Sequence, residues 1–210
     1  MTSARSRTRL VNQLERNGIA HQGVLDAFAA VPRHIFVEEA MAHLAYQDRA
    51  LPIGHGQTIS QPFTVAVMTE ALLETPRDSV LEVGTGSGFQ TALLAQLCRK
   101  VFTVERVKPL LDRARRRFEA LKIRNVSSQL GDGYNGWPDK GPFSGILVTA
   151  APRAVPQVLL EQLDVGGRMV VPVGSNGNQR LKVIDRTGQG YGERVVDGAR
   201  FVPLVKGLRT

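Results

Sequence analysis

The 210-residue sequence predicts an α/β fold: a doubly wound, mostly parallel sheet with a helical N-terminal segment before it and a mixed sheet edge at its C-terminal end. Three observations lead there. From residue 62 onward, short apolar runs alternate with helix-period segments, which is the signature of βαβ units. A glycine-rich turn, Gly84-Thr85-Gly86-Ser87-Gly88, joins one apolar run to the helix that follows. Beyond Val173 the helical period fades and strand-like runs are separated by glycine-rich turns.

Before residue 60 the pattern is helical. Leu10, Val11 and Leu14 share a face that ends at Gly18; Val24, Leu25 and Phe28 share another that ends before Pro32; residues 34–41 suit a third short helix. Residues 51–60, with Pro52, Gly54 and Gly56, read as extended chain or loop. The alternation then begins with a helix over 62–73, carrying Val65, Met68, Thr69 and Leu72 on one face, and a strand over 79–83. A helix over 89–97, a strand over 101–105, a helix over 108–121 and a strand over 126–130 follow. A strand over 143–148, a helix over 156–163 and a strand over 168–173 come next, with strand-like runs at 181–185 and 200–205. There is no internal repeat and no low-complexity linker, so the boundary is this change of period: a helical extension and loop over 1–60, and a ligand-binding unit over 61–210, packed as one compact body.

Composition narrows the function classes. No apolar run approaches the roughly 20 residues of a bilayer-spanning helix, which predicts a soluble protein with no membrane partner. Lys and Arg total 27 against 19 Asp and Glu, a net charge of +8 and a pI near 10.2 that favour an acidic partner or nucleic acid. The basic residues, however, collect at the N-terminus and in Arg113-Ala114-Arg115-Arg116-Arg117, inside an amphipathic helix where a solvated face is expected. No nucleic-acid partner is therefore expected. The single cysteine, Cys98, excludes an internal disulfide and a cysteine zinc site, and its place among Leu93, Leu94 and Leu97 predicts a buried, inert thiol. His21, His34, His43 and His55 lack metal-ligand spacing, so no metal is predicted. The basic start is not followed by an apolar run, which sets the expectation of a cytoplasmic protein. Trp137 is expected to pack a loop.

The chemistry concentrates at Val80-Leu81-Glu82-Val83-Gly84-Thr85-Gly86-Ser87-Gly88-Phe89, where a strand ends and a helix begins, the place at which open α/β sheets bind ligands. The glycines fall at 84, 86 and 88, and Phe89 stands where a dinucleotide fingerprint has its third glycine. That spacing argues against a nicotinamide oxidoreductase. The loop contains no lysine, which excludes a triphosphate cradle of the Walker type. Glu82, aimed into a pocket, would repel phosphate and suit a cationic ligand. Glu105 ends the next strand about 20 residues past Gly84, the spacing at which an acid takes ribose hydroxyls. Asp132, in Gly131-Asp132-Gly133 after the third strand, can accept from an adenine amino group. Ribose, adenine and a cationic remainder without phosphate describe S-adenosyl-L-methionine.

This pattern resembles the class I, Rossmann-like methyltransferases, and further segments narrow the resemblance to the protein-L-isoaspartate O-methyltransferase family. They are, in order, Val31-Pro32-Arg33, Leu51-Pro52-Ile53-Gly54, Gln57-Thr58-Ile59-Ser60-Gln61-Pro62, the glycine loop, Gly131-Asp132-Gly133, Val148-Thr149-Ala150-Ala151-Pro152 and Arg200-Phe201-Val202-Pro203-Leu204-Val205. The resemblance implies methyl transfer from S-adenosyl-L-methionine, leaving S-adenosyl-L-homocysteine, to the free carboxylate of L-isoaspartyl residues in damaged proteins and peptides. The ester then closes to a succinimide that reopens partly to normal aspartate. It implies that Gln57, Thr58 and Ile59 close over the cofactor, with Glu82, Gly84, Thr85, Gly86, Gly88, Glu105, Asp132 and Gly133 as its other contacts. It makes Ser60 the active-site serine, places Leu204 and Val205 beside the substrate peptide, and implies a monomer. Ser144 departs from the family's usual aspartate and Phe63 from the histidine of some relatives, which leaves open the hydrogen bond an aspartate would make to the neighbouring loop.

The implied chemistry is economical. A carboxylate with a pKa of about 4 is already ionised at neutral pH and needs no general base. The protein has to align oxygen, methyl carbon and sulfur at about 3 Å and to exclude water. Ser60 serves as a hydrogen-bond donor and not as a nucleophile, which would need a positioned base. Two other readings remain. A nucleic-acid base methyltransferase would carry Asp or Asn-Pro-Pro-Tyr where this chain reads Thr149-Ala150-Ala151-Pro152. A basic RNA-binding module without catalysis would show salt-steep RNA binding and no methyl transfer.

Overall fold

Along Ser79–Val83 successive side chains point to opposite faces of a sheet, and both faces are buried: Val80 enters one apolar cluster, Leu81 and Val83 the other. The computed structural model describes residues 4–175 and 177–209. Helices α1 (Ala4–Arg16) and α2 (Gln22–Ala30) lead into two 3-10 turns and a small antiparallel hairpin, β1 (Leu51–Gly54) and β2 (Gln57–Ile59). Then come α3 (Pro62–Leu72), β3 (Ser79–Val83), α4 (Phe89–Leu97), β4 (Lys100–Glu105), α5 (Lys108–Ala120) and β5 (Val126–Leu130). The chain continues through β6 (Phe143–Val148), α6 (Gln157–Glu161), β7 (Leu163–Ser175), β8 (Asn178–Thr187) and β9 (Gly190–Ala199). The seven strands β3 to β9 form one sheet in the order β5-β4-β3-β6-β7-β8-β9. Pairing is parallel from β5 to β7 and antiparallel from β7 to β9, so the sheet is doubly wound with a mixed edge, as expected. Strand order reverses between β3 and β6, which opens a crevice at their C-terminal ends.

Three expectations need correction. The third N-terminal helix is two 3-10 turns, Arg33–Phe36 and Glu39–Leu44, separated by Val37 in an extended conformation. The helix expected over 156–163 is only Gln157–Glu161, because β7 already begins at Leu163, pairs with Phe143 and then shifts register so that Arg168 meets Gly145. The run 200–205 is not a strand of the sheet. Its single bridge is Pro203 to Ala151, while the last strand is β9, hidden in the sequence by Gly190, Gly192 and Gly198.

The N-terminal segment shares its core with the rest. Leu10, Leu14, Val24 and Phe28 lie in the same buried cluster as Leu72, Phe89 and Leu94 and the sheet residues Val80, Leu147 and Val170. Phe28 and Phe36 both meet the Phe89 ring edge-on, at 5.7 and 5.5 Å between centroids. Burial of each such ring is worth about 1.5–3 kcal/mol.

The arginine run of α5 lies on an exposed to half-buried face, with Arg115 and Arg116 exposed as expected, and three of its arginines also staple the fold. Arg113 donates to the Ile53 carbonyl and pairs with Glu38; Arg115 holds the Ser128 hydroxyl and carbonyl; Arg117 donates to the Ser87 carbonyl in the glycine loop. Cys98 closes α4 among apolar neighbours, and burial pushes its thiol up to about 12. Trp137 packs edge-on against Phe102, at 5.7 Å. Ser144 does form the loop bond that its family position left open: its hydroxyl accepts from the Asp78 and Ser79 amides and donates to the Ser79 carbonyl, each at 3.0 Å.

Candidate active site

The loop after β3 is shaped by two glycines that tolerate no side chain. Gly84 has φ +100, and a Cβ there would lie 2.4 Å from Thr149 Oγ1; Gly88 has φ +88, and a Cβ there would meet the Phe118 ring at 2.8 Å. Thr149, just past β6, donates to the Val83 and Gly84 carbonyls at 3.0 and 2.7 Å and so ties the ends of β3 and β6 together. The Glu105 carboxylate accepts from the Gly86 amide at 2.8 Å and the Val107 amide at 2.9 Å. Two of its lone-pair sites are thus taken and two remain.

These groups wall a cavity at the ends of β3, β4 and β6. Of the expected cofactor contacts, Gln57, Thr58, Ile59, Gly84, Thr85, Gly86, Glu105 and Gly133 line it, with Ser60, Leu204 and Val205 at its rim. A second groove shares Thr58, Ser60, Thr149, Phe201 and Val202 with the cavity and extends past Gln61, Phe63, Gln179 and Arg200. Ser60 thus stands at the junction of two spaces. Its carbonyl accepts from Arg33 Nη2 at 2.8 Å, and its hydroxyl has no hydrogen-bond partner among the described residues.

Three expected contacts do not line the cavity. Glu82 falls on the opposite face of β3 from Val83, fully buried, where its Oε2 accepts from the hydroxyls of Thr91 and Thr103. Desolvation raises its carboxyl to about 8, the two hydroxyls opposing that shift. Its burial thus favours the neutral form. Its Thr103 partner also contacts the Thr85 hydroxyl at 2.6 Å, so Glu82 supports the glycine loop from below. Gly88 faces Phe118 and Ala114 and closes helix packing, not the cavity. Asp132, next to Gly133 of the lining, accepts one main-chain amide on each oxygen, Oδ1 from Tyr134 at 2.9 Å and Oδ2 from Gly207 at 2.7 Å, which leaves it two lone-pair sites as at Glu105.

Sequence reading missed Thr149, Arg33 and Gln179 as site-building residues. Thr149 lay inside a quoted motif, directly after a strand at the switch point, a signal that could have found it. Arg33 also lay in one of those segments, Val31-Pro32-Arg33, but nothing in its spacing ties it to Ser60. Its guanidinium is buried, donates to the Ala45 and Ser60 carbonyls, and stacks 4.8 Å from the Phe89 ring centroid. Burial lowers its pKa to about 9, with Asp48 opposing the shift.

The residues present fit an adenosyl cofactor with a small cationic end. Gly84 and Gly133 bring bare backbone to the cavity wall, packed so closely on Thr149 and Val83 that no side chain fits, Glu105 keeps free acceptor sites for hydroxyls, and Val83, Val107 and Leu204 supply apolar wall. Arg106, the basic residue of the lining, turns its Nε to the Gly207 carbonyl at 2.8 Å. That arrangement suits a ligand without phosphate. Among the described residues no group of three His, Cys, Asp or Glu side chains is placed to hold a metal ion.

Comparison with known proteins agrees with this geometry. The chain is 56% identical over 209 residues to a protein-L-isoaspartate O-methyltransferase of Hahella chejuensis, covering 99% of each chain. It is 54% identical over 208 residues to one of Pseudomonas syringae pv. tomato, again covering 99% of each. Among solved structures, a protein-L-isoaspartate O-methyltransferase superposes with a TM-score of 0.87 at 28% identity, over 96% of this chain and 67% of that one. A Plasmodium falciparum protein described as an enzyme of that kind, in complex with S-adenosyl-L-homocysteine, superposes with a TM-score of 0.82 at 26% identity, over 94% and 97%. The family model for protein-L-isoaspartate(D-aspartate) O-methyltransferase matches residues 5–209, and the chain belongs to that family.

Proposed function

We infer that this protein transfers a methyl group from S-adenosyl-L-methionine to the free carboxylate of L-isoaspartyl residues in proteins and peptides, and so starts their repair through a succinimide. The observation that carries this reading is the meeting of cavity and groove at Ser60: a cofactor held on the glycine loop and a peptide lying in the groove have their reactive ends at one point. Residues 1–60 supply Arg33 and the Ser60 segment, residues 61–210 supply the cradle, and the two work as one unit. We read the protein as a cytoplasmic monomer without a nucleic-acid partner; three of the α5 arginines that suggested one, Arg113, Arg115 and Arg117, are bonded to main-chain carbonyls of the fold.

S-adenosyl-L-methionine, when bound, supplies an electrophilic methyl group on a sulfonium sulfur. Gln57, Thr58 and Ile59 cover it, and Glu105 accepts from its ribose hydroxyls. The Ser60 hydroxyl donates to the carboxylate oxygen that does not attack and aims the other at the methyl carbon. A C–O bond forms from a carboxylate lone pair, the C–S pair returns to sulfur, and no proton moves. The side chains of Leu204 and Val205 exclude water from the anion, while main-chain groups of their segment pair with the peptide backbone, which lets one site accept many sequences.

The test is transfer of a labelled methyl group to two peptides that differ only in carrying isoaspartate or aspartate. The expected product is a base-labile ester that releases methanol, formed on the isoaspartyl peptide alone. Equal transfer to both peptides, or none while the cofactor still binds, overturns the assignment.

A further inference from the structure

We propose that Gln179 is a positioning residue for the peptide substrate: its side-chain amide occupies the pairing site of Phe201 and thereby limits the edge offered to the peptide backbone to Pro203 and Val205. This rests on the reading of residues 203–205, at the cavity wall where the groove joins it, as the edge that takes the peptide. Gln179 is buried on β8, and its amide is paired twice with one residue, Nε2 donating to the Phe201 carbonyl at 2.9 Å and Oε1 accepting from the Phe201 amide at 2.6 Å. That is the pattern of a strand neighbour, made by a side chain. On the other edge of the same segment the Ala151 amide donates to the Val202 carbonyl, and the Leu204 amide donates to the Ala151 carbonyl, both at 2.8 Å.

Alternation along an extended segment then assigns the remaining groups. Residues 202 and 204 pair toward Ala151, so the main-chain groups of 201, 203 and 205 face the opposite edge. Those of Phe201 are taken by Gln179. Pro203 has no amide hydrogen and offers only its carbonyl, while Val205 offers an amide and a carbonyl; both residues are exposed. Three groups are thus left for the peptide: two acceptors and one donor. A bound backbone can place two amides on them, two residues apart, and has no third partner at Phe201. A short register of this kind anchors the chain beside the isoaspartyl residue and leaves the rest of the sequence unread.

The experiment scans the native enzyme with isoaspartyl peptides N-methylated at one backbone amide at a time, reading KM and kcat, with cofactor affinity measured separately. At most two amides, two residues apart, are expected to raise KM by about tenfold when blocked. A third sensitive amide, two residues further toward the Phe201 end, overturns the proposal. Gln179→Leu is expected to raise KM for the unmodified peptide by about tenfold, with kcat at saturation within about threefold and cofactor affinity within about twofold of native. Gln179→Glu, which keeps the acceptor but loses the donor, is expected to fall between. A folded Leu variant with unchanged KM, or one that loses cofactor affinity and kcat together, also refutes the role. If neither variant folds, the scan on the native enzyme decides alone. Absence of any transfer to the unmodified isoaspartyl peptide is a different result, which removes the functional reading beneath.

Discussion

The cofactor cradle is built from buried groups bonded to one another, whereas the peptide-binding edge beside it is an exposed stretch of main chain. At the cradle, Gly84 abuts Thr149, Glu105 is held by two amides, and Glu82 lies fully buried beneath the loop. At that edge Pro203 and Val205 are exposed, and among the described residues their segment is held by side chains and isolated bridges. The difference follows from what each must recognise. A cofactor never varies, so close shape and fixed donors add affinity at every encounter. Protein substrates share only a backbone and one altered residue, so main-chain pairing at an exposed edge is the recognition they have in common.

The largest effect is expected where the cradle's backbone packs against Thr149. Gly84→Ala adds a Cβ against Thr149 at a left-handed φ, a strain of about 1–3 kcal/mol before the collision is counted. Cofactor binding should weaken by about 100-fold or more, read by calorimetry, and peptide sequence preference should not change. Unchanged affinity would show that the loop is far softer than its contacts imply.

Ser60→Ala acts where the two regions join. Losing a hydrogen bond to a charged group costs about 1.5–3 kcal/mol, so kcat should fall about 10- to 100-fold. Cofactor affinity should stay within about twofold. A matching loss of cofactor affinity would place Ser60 in the cradle alone.

Glu82→Gln separates support from contact. The folded-state pKa of Glu82, about 8, lies above the ordinary 4.5, so its stabilisation is complete below pH 4.5 and is lost as pH rises through 8. Across that window the native protein should lose up to about 1.4 kcal/mol per pH unit relative to the Gln variant, measured by urea unfolding at several pH values. Parallel curves for the two proteins would contradict a buried, neutral Glu82. The mildest change is Ser144→Asp, which keeps acceptors for the Asp78 and Ser79 amides but loses the donor to Ser79. We expect less than about 1 kcal/mol of destabilisation and native methyl transfer, because the site is remote from both cavity and groove.

Much of this architecture was legible in the chain itself. Periodicity gave β3 to β6 and α3 to α5 nearly to the residue, since each has a continuous apolar face and a clear turn signal. Periodicity failed at β9, whose glycines mimic a turn, and at 200–205, where apolar residues with strand spacing meet a proline and make only one bridge. Among site residues, Glu105 and the glycine loop were found because spacing along a βαβ unit fixes their place at a strand end. Glu82 and Asp132 were assigned to the ligand by the same logic, which does not reveal that Glu82 sits on the opposite face of its strand from Val83, or that each Asp132 oxygen already accepts a main-chain amide.

By itself, then, the sequence determined the fold class, the family and the position of the cofactor loop, because these depend on local period and on motifs whose residues are neighbours in the chain. Only the tertiary structure decided which acid faces the cavity, that Arg33 holds the Ser60 carbonyl across 27 positions, and that Gln179 holds Phe201 across 22. The physical reason is that a buried polar group takes whatever partner the packed chain brings within hydrogen-bond distance, and that partner is set by packing and not by spacing along the sequence.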